Sequence, residues 1–271
     1  MSNALVAKIK NFASLSEYEV NLLERATSHT REAHAHQDLI REGDELDSLI
    51  VILGGWACRY KILPEGTRQI TAFLMPGDCC DTHISVLDVM DDTLATLTPC
   101  RVATIKRARV DELVTDRPVL SRAFQLAQLV HDETLKAWMV SLGRRDSIQR
   151  VAHLMCELHT RGSNVSLLDG NTLAMDLTHA ELGDALGLTA VHVCRVLRKL
   201  RVAGLMELRA GTLCVYDFDA LAEIAGFDGS YLHQPSRPLS QQLSPHAQDG
   251  RSRTSILSRS LDAQGGRQQR S

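Results

Sequence analysis

The sequence predicts an α+β fold in which an N-terminal antiparallel β-roll, jelly-roll-like, is followed by a long helix and then by short helices with a β-hairpin. Two observations carry this prediction. Short β-rich runs separated by glycine and proline turns fill the chain from residue 36 to residue 106, without intervening helices. Helical periodicity then extends over residues 118–145, and two short helical patterns joined by a glycine follow at residues 178–203.

Composition and charge limit the function classes. Of the 271 residues, 44% are hydrophobic, and the formal net charge is −3, so any contact with nucleic acid must come from a local basic patch. No stretch approaches the roughly 20 apolar residues of a membrane span, and the N-terminus lacks the apolar run of a signal peptide. We therefore expect a cytoplasmic protein without membrane contact. The seven cysteines, irregularly spaced, do not form a disulfide pattern.

The elements before the long helix are a helix and a set of short strands. Residues 5–30 show a helical apolar pattern, with Ser14 or Ser16 as its N-terminal cap. The strands that follow, separated by turns such as Pro76-Gly77-Asp78, predict a small antiparallel barrel or sandwich.

The long helix carries two apolar stripes. One follows alternating steps of three and four and is rich in small residues, which is the pattern of a coiled-coil seam between two copies of the chain. This predicted dimerisation seam consists of Leu120, Ala123, Ala127, Val130, Thr134 and Ala137. The neighbouring stripe, which includes Phe124 and Trp138, is expected to pack on the chain's own core. The alternative to a homodimer is a single amphipathic helix lying on its own domain.

Residues 178–203 predict a helix-turn-helix. Thr178 and Glu181 form a capping box, Gly187 supplies the turn, and Thr189 caps the second helix. No acidic residue occurs from residue 190 to residue 203, whereas a solvated helix normally mixes charge signs. Together with the β-hairpin that turns at Ala210-Gly211, this basic face predicts a winged helix-turn-helix whose second helix enters the major groove of double-stranded DNA.

Position along the second helix assigns the DNA contacts. Arg195 is the candidate for bidentate contact with a guanine, and Val191 for contact with a thymine methyl group. Arg198 and Lys199 lie further along and are candidates for phosphate contacts. The full predicted DNA-binding set is Thr178, Thr189, Val191, His192, Cys194, Arg195, Arg198, Lys199, Arg201 and Arg209. The alternative is a helical hairpin that packs only on protein.

The order of barrel, long helix, helix-turn-helix and wing resembles the Crp/Fnr family of bacterial transcription regulators. The stretches that carry the resemblance are LIREGDELDSLIVILGG, FLMPGD and LTHAELGDALGLTAVHVCRVLRKLRVAGLM. The resemblance implies a homodimeric, sequence-specific DNA-binding regulator that recognises a palindromic site and works with RNA polymerase. We accordingly expect an effector or sensor β-roll domain at residues 1–115, a dimerisation helix at 116–145, a winged helix-turn-helix DNA-binding domain at 146–226 and a disordered tail at 227–271.

The sensor region departs from family members that bind cyclic AMP. Those members place a Gly-Glu pair after the PGD turn and an Arg-Ser pair later, where this chain has Asp81-Thr82 and Asp91-Asp92. No Lys or Arg occurs from residue 76 to residue 99, whereas five aspartates do. A phosphate buried there would meet like charge. We therefore expect no binding of cyclic AMP in the usual way.

The chain also departs from the oxygen-sensing branch of the family. That branch holds an iron–sulfur centre with an N-terminal cysteine cluster, but no cysteine precedes Cys58 here. In the recognition helix the same branch commonly places Glu and Ser where Val191 and Cys194 stand, and Arg195 is the residue that matches.

Cys79, Cys80 and His83 form the candidate sensor stretch. The spacing of Cys80 and His83 is compatible with metal or haem ligation, and the family includes haem-based gas sensors. Strand alternation would instead bury one cysteine as a small hydrophobe. We expect no cofactor and no metal, with haem or a redox-sensitive thiol as the alternatives. No catalytic residues stand out, so an enzyme is not expected; the alternative function is an effector-binding, thiol-sensing or haem-sensing module that acts through protein partners.

Overall fold

The computed structural model describes residues 3–80 and 88–232, and their elements follow the predicted order. Within these residues, two N-terminal helices precede two β-sheets. A long helix follows the sheets in the sequence, and a third sheet with further helices comes after it. The α+β prediction is confirmed. None of the described helices is long and apolar enough to cross a membrane.

The N-terminal segment, expected to be helical over residues 5–30, forms two short helices, and Ser16 caps the second of them as one of the two predicted caps. Helix α1 spans Ala4–Lys10, and α2 spans Glu17–Ala26. The backbone of Ser16 is extended, which interrupts the helical path, and Ser16 and Glu19 cap α2 reciprocally. The apolar face of α1 is buried against the adjacent sheets.

The strands that follow form a β-roll of two four-stranded antiparallel sheets in the described residues, with strand orders β1-β8-β3-β6 and β2-β7-β4-β5. The strands are β1 (Thr30–Ala33), β2 (Asp38–Ile40), β3 (Ser48–Gly54), β4 (Ala57–Ile62), β5 (Arg68–Leu74), β6 (Cys79–Cys80), β7 (Thr93–Thr96) and β8 (Cys100–Lys106). Strand β3 is apolar from residue 49 to residue 53 and is buried on both faces, because α1 packs against it.

Two helices follow the roll. Helix α3 spans Arg107–Thr115, which the periodicity did not predict, and α4 spans Pro118–Arg144, close to the predicted range of 118–145. Pro118 occupies the first turn of α4, where a backbone N–H would have no helical partner in any case.

Four residues of the predicted dimerisation seam on α4 are buried within their own chain: Leu120, Ala123, Val130 and Thr134. Ala127 and Ala137 are partly exposed. Phe124 and Trp138 of the neighbouring stripe are buried as well. These side chains face inward because α4 packs on the roll along its first half and on the C-terminal region along its second half.

The C-terminal region combines helices with a third antiparallel sheet. Its helices are α5 (Ser147–Asn164), α6 (His179–Leu186), α7 (Ala190–Val202) and α8 (Phe218–Ala225). Its strands are β9 (Leu168–Asp169), β10 (Thr172–Ala174), β11 (Met206–Arg209) and β12 (Thr212–Val215), in the order β11-β12-β10-β9. The segment 161–176 contains the end of α5 and the strands β9 and β10, which are too short to show an alternating pattern.

The folded chain continues beyond residue 226, where a disordered tail was predicted. Gly229–Leu232 form a short 3-10 helix, which we call η1, and Leu232 is buried. The hydroxyl of Tyr231 donates to the carboxylate of Glu157 in α5 at 3.1 Å. Phe227, Tyr231 and Leu232 therefore anchor this segment to the C-terminal region. Residues 233–271, the rest of the predicted tail, lie outside the described residues.

The apolar core of the described residues has two parts. One lies in the roll and extends to α1, α3 and the first half of α4. The other joins roll residues such as Trp56 and Phe73 to Trp138 of α4 and to the C-terminal helices. The rings of Phe73 and Trp138 meet edge to face at 5.9 Å. The roll and the C-terminal region thus share a packed interface.

Candidate nucleic-acid interface

A tight turn joins α6 to α7. The hydroxyl of Thr178 accepts a hydrogen bond from the backbone N–H of Glu181 at 3.2 Å, and the Glu181 carboxylate accepts from the N–H of Thr178 at 2.7 Å, which caps α6. Gly187 ends α6 in the left-handed conformation, with φ +62°. Gly183 leaves room for the chain to return, since an added Cβ would lie 2.4 Å from the carbonyl oxygen of Leu188. The two helices are therefore held at a fixed angle.

Packing fixes the rotation of α7 about its axis. Thr189 begins the helix, and its hydroxyl accepts from the backbone N–H of His192 at 3.2 Å. The inward face is fully apolar and consists of Val193, Val196, Leu197 and Leu200, all buried. Because these four side chains are held in the core, the opposite face of α7 points to solvent.

The outward face of α7 is exposed and basic. Its exposed members are Val191, His192, Cys194, Arg195, Arg198, Lys199 and Arg201. Within the described part of the chain, Arg195, Arg198 and Lys199 form no ion pair. Arg201 pairs with Glu207 of β11 at 3.4 Å. The first three cations thus present positive charge that no carboxylate of the described chain neutralises.

The hairpin β11–β12 lies beside α7 and makes contact with it through β11. Both residues of its turn have left-handed backbones, with φ +48° at Ala210 and +72° at Gly211, as a two-residue hairpin turn requires. Arg209 precedes the turn and is exposed. The hairpin therefore offers a cation on an element adjacent to α7.

The predicted sensor residues lie in the roll. Cys79 and Cys80 form β6, which pairs with β3. Cys80 is buried and Cys79 is half-buried, in keeping with strand alternation. His83 lies outside the described residues. Among residues 3–80 and 88–232, no three His, Cys, Asp or Glu side chains come together as a candidate metal site.

A cavity of about 70 Å³ lies between the roll and α4. Its wall includes Arg59 of β4, His131 of α4 and Arg161 of α5. Burial lowers the pKa of His131, and the charges of Arg59 and Arg161 lower it further. The imidazole in the wall is therefore neutral at neutral pH.

The described aspartates between residues 76 and 99 are paired with cations from elsewhere in the chain: Asp78, Asp88, Asp91 and Asp92. Nε of Arg59 lies 2.9 and 2.8 Å from the two carboxylate oxygens of Asp92. Asp78 pairs with Lys8 at 2.9 Å and with Arg161 at 2.8 Å. Burial alone would raise the pKa of Asp78, but Lys8 and Arg161 hold it well below its usual range. The excess of acid expected from the local sequence is thus compensated at these two positions.

Two family models match this chain. Residues 149–224, from within α5 to within α8, match the Crp-like helix-turn-helix domain. Residues 30–117, which contain the roll strands and α3, match the cyclic nucleotide-binding domain. The cyclic nucleotide-binding match therefore covers the roll, and the helix-turn-helix match covers the C-terminal region.

Proteins of similar sequence that cover most of this chain are regulatory proteins as well. The fumarate and nitrate reduction regulatory protein of Vibrio cholerae is 25% identical over 222 residues, which cover 79% of this chain and 85% of that protein. The transcriptional activator protein FnrL of Cereibacter sphaeroides is 28% identical over 202 residues, which cover 73% of this chain and 81% of that protein. The chain belongs to the Crp/Fnr family of transcription regulators. The solved structure of FixK2 from Bradyrhizobium japonicum, 21% identical, has a TM-score of 0.66 and covers 74% of this chain and 98% of that one, which confirms the fold.

As a Crp/Fnr regulator, the protein is not an enzyme. The structure brings the α7 members of the predicted DNA-binding set onto one exposed face, with Thr178 and Thr189 as helix caps and Arg209 on the neighbouring hairpin. Sequence reasoning missed Glu157 and Arg161 of α5, which are buried between the two domains. Their spacing of four residues, typical of an ion pair along a helix, was the available signal.

Proposed function

We propose that this Crp/Fnr regulator binds double-stranded DNA sequence-specifically as a homodimer and reads one half of a palindromic site with each α7. The outward face of α7 carries the proposal, because Arg195, Arg198 and Lys199 are exposed there without ion pairs in the described residues. An α-helix fits the DNA major groove, which is about 12 Å wide. Unpaired cations on a helix held by its apolar side are what phosphate and guanine recognition require.

The contacts divide between base reading and phosphate binding. Arg195 is assigned to O6 and N7 of a guanine, a contact worth about 1–3 kcal/mol of discrimination, and Val191 to a thymine methyl group. Arg198 and Lys199 are assigned to phosphates, which set affinity and its dependence on salt. Arg201 shares its charge with Glu207, so we expect a smaller phosphate contribution from it.

We propose a dimerisation seam shifted by one residue from the one predicted. The apolar residues of α4 that remain exposed or partly exposed and share one heptad pattern are Val119, Leu126, Leu129 and Val140. The same pattern includes Arg122, which is exposed, and Glu133 and Lys136, which pair at 2.7 Å along the helix. A second copy of the chain would cover Val140, which is 53% exposed in one copy. The seam is therefore partly apolar and partly polar.

We propose that the roll does not bind cyclic AMP in the usual way. The cavity between the roll and α4 is the candidate ligand pocket of the roll, and its wall includes Arg59. Arg59, a cation of its wall, is engaged by Asp92, so a phosphate would have to displace that carboxylate. Titration calorimetry with cyclic AMP is expected to show no stoichiometric micromolar binding. Such binding would contradict the proposal.

We expect no resident cofactor, with haem or a redox-sensitive thiol at Cys79, Cys80 and His83 as the alternatives. The half-buried Cys79 and the buried Cys80 support a structural role for β6. Purified protein without a Soret band and without iron would exclude haem. We place the protein in the cytoplasm, with DNA and RNA polymerase as its partners.

Selection of bound sites from random duplex DNA, at a stated salt concentration, tests the proposed function. The wild-type protein is expected to enrich a palindrome, and the Arg195→Ala variant to enrich the same palindrome with a relaxed guanine preference. Lys199→Ala is the matched control, because losing a phosphate contact weakens all sequences alike and leaves the preference intact. Failure of the wild type to enrich any sequence would contradict the function. An unchanged preference in Arg195→Ala would contradict the role of Arg195.

A further inference from the structure

Arg161 of α5 reaches out of the C-terminal domain and into the roll. Its guanidinium donates to the backbone carbonyl of Phe73 at 2.7 Å and to Asp78 at 2.8 Å, both in the roll, and to Glu157 of its own helix at 3.1 Å. Lys8 of α1 binds Asp78 from the other side at 2.9 Å. The side chain of Arg161 is 11% exposed, so these bonds lie away from solvent. One guanidinium therefore joins two domains.

Glu157, the second carboxylate bound by Arg161, is fully buried and has partners on two further elements. It accepts a hydrogen bond from the indole Nε1 of Trp138 in α4 at 2.8 Å and from the hydroxyl of Tyr231 in η1 at 3.1 Å. The interdomain network is the name used below for Lys8, Asp78, Glu157 and Arg161. It connects α1, the roll, α4, α5 and η1.

The orientation of the C-terminal domain decides how two α7 helices meet one DNA molecule. Half-sites of a palindrome lie about 34 Å apart or a multiple of it, so the two helices must keep a fixed separation. The proposed dimerisation seam lies on α4, whereas α7 belongs to the domain that begins with α5. A short link at Arg145-Asp146 is the covalent connection between α4 and α5. Contacts beyond this link are needed to hold one orientation.

Burial makes the interdomain network a stronger constraint than an exposed ion pair. An orientation that separated Arg161 from the roll would break its two bonds to Asp78 and to the carbonyl of Phe73 in a site shielded from water. Asp78 would keep Lys8 as its one cation, and Arg161 would keep Glu157 as its one carboxylate. A second ion pair between the domains, Arg68 of β5 with Asp184 of α6 at 2.7 Å, has side chains that are 32% and 31% exposed. Water screens that pair, so its loss costs little.

We propose that Arg161 is a positioning residue for DNA reading: through the interdomain network it holds the C-terminal domain in the orientation that sets two α7 helices at half-site spacing. The inference rests on the proposed function and names the residues that set the spacing between the two α7 helices. Arg161 acts from the domain interface and does not touch DNA.

The test compares binding to a palindromic duplex with binding to a duplex that holds one half-site. The variant Glu157→Gln/Arg161→Gln leaves the net charge unchanged, keeps the pair of Lys8 with Asp78, and leaves no carboxylate at position 157 without a cation. Its affinity for the palindrome is expected to fall by about tenfold or more, within the usual range for coupling between sites, while its affinity for the half-site stays within about twofold. The matched control is Arg68→Gln/Asp184→Asn, which removes an exposed cross-domain pair, also without change in net charge. It is expected to leave both affinities within about twofold.

The inference would be overturned if the folded, dimeric variant kept the wild-type ratio of its affinity for the palindrome to its affinity for the half-site. An equal loss in the Arg68→Gln/Asp184→Asn control would overturn it too, because the buried network would then have no special role. A wild-type protein that binds neither duplex would contradict the proposed function itself.

The conservative variant Arg161→Lys separates positioning from general loss of stability. It keeps the positive charge in the interface and is expected to recover part of the palindrome to half-site ratio. A merely structural role lowers the amount of active protein and leaves that ratio unchanged. If the double variant does not fold, Arg161→Lys alone is decisive: a ratio equal to that of the wild type in a less stable protein would overturn the inference.

Discussion

His153 of α5 makes the stability of the C-terminal domain sensitive to acid. Its imidazole is 3% exposed, with the ring of Phe227 at 5.2 Å and that of Tyr231 at 6.2 Å. Burial, with a smaller contribution from Arg145, lowers the pKa of His153 to about 4. The imidazole of an unfolded chain has a pKa of about 6.5. Between these two values, the unfolded chain binds a proton that the folded chain does not.

The free energy of unfolding must therefore fall as the pH falls through this interval. The slope is about 1.4 kcal/mol per pH unit for one proton. Linkage gives a loss of about 2 kcal/mol between about pH 7.5 and about pH 5, and the full loss approaches about 3 kcal/mol near the folded pKa. Above the unfolded pKa the contribution of His153 to stability is fully present.

Urea unfolding at these two pH values measures the effect. The variant His153→Leu removes the titrating group, so the wild-type protein is expected to lose about 2 kcal/mol more than the variant on acidification. Any difference in stability that does not depend on pH cancels in this comparison. His179→Gln, at an exposed histidine of the same domain, is the matched control and is expected to keep the wild-type dependence. Equal pH dependence in wild type and His153→Leu would refute the assignment.

Three further substitutions test the helix cap, the phosphate contacts and the dimer. Thr178→Ala removes the capping hydroxyl of α6 and is expected to lower the free energy of unfolding by about 1 kcal/mol in urea titrations; no change would mean that Glu181 alone caps the helix. Lys199→Ala is expected to reduce the slope of log affinity against log salt by about 1, and an unchanged slope would exclude a phosphate contact. Leu129→Glu is expected to raise the dimer dissociation constant by about tenfold or more in sedimentation experiments. Gln125→Glu on the same helix is its control, and an equal effect of both would contradict the shifted seam.

The elements that the sequence predicted well depend on local signals. The helix-end signals each involve residues at most four positions apart, so they could be recognised without knowing the fold. They are the capping box of Thr178 with Glu181, the turn at Gly187 and the N-terminal cap at Thr189. The same holds for the hairpin turn at Ala210-Gly211. The exposed face of α7 followed from helical periodicity, because its apolar side is continuous and its other side carries no acid.

The features that the sequence missed depend on contacts between distant segments. Neighbouring stripes of α4 satisfy a helical period, and the roll and α5, which pack on this helix, decide which of their side chains remain exposed. Asp78 pairs with Lys8 and with Arg161, which are 70 and 83 positions away in the sequence. A count of charges along residues 76–99 therefore predicted an acidic site, whereas in the fold distant cations neutralise this carboxylate. Strands β9 and β10 are two and three residues long, too short for any periodic signal.

Whether α7 reads DNA bases is decided by a thermodynamic cycle between Arg195 and the guanine of the selected half-site. Affinities of the wild-type protein and of Arg195→Ala are measured on two duplexes. One carries guanine at that position, and the other carries 7-deazaguanine, a base that lacks the N7 acceptor. Base reading by Arg195 predicts that the modified base weakens the wild type by about fivefold or more and leaves Arg195→Ala unchanged, a coupling of about 1 kcal/mol. Equal weakening of both proteins, or of neither, would contradict it.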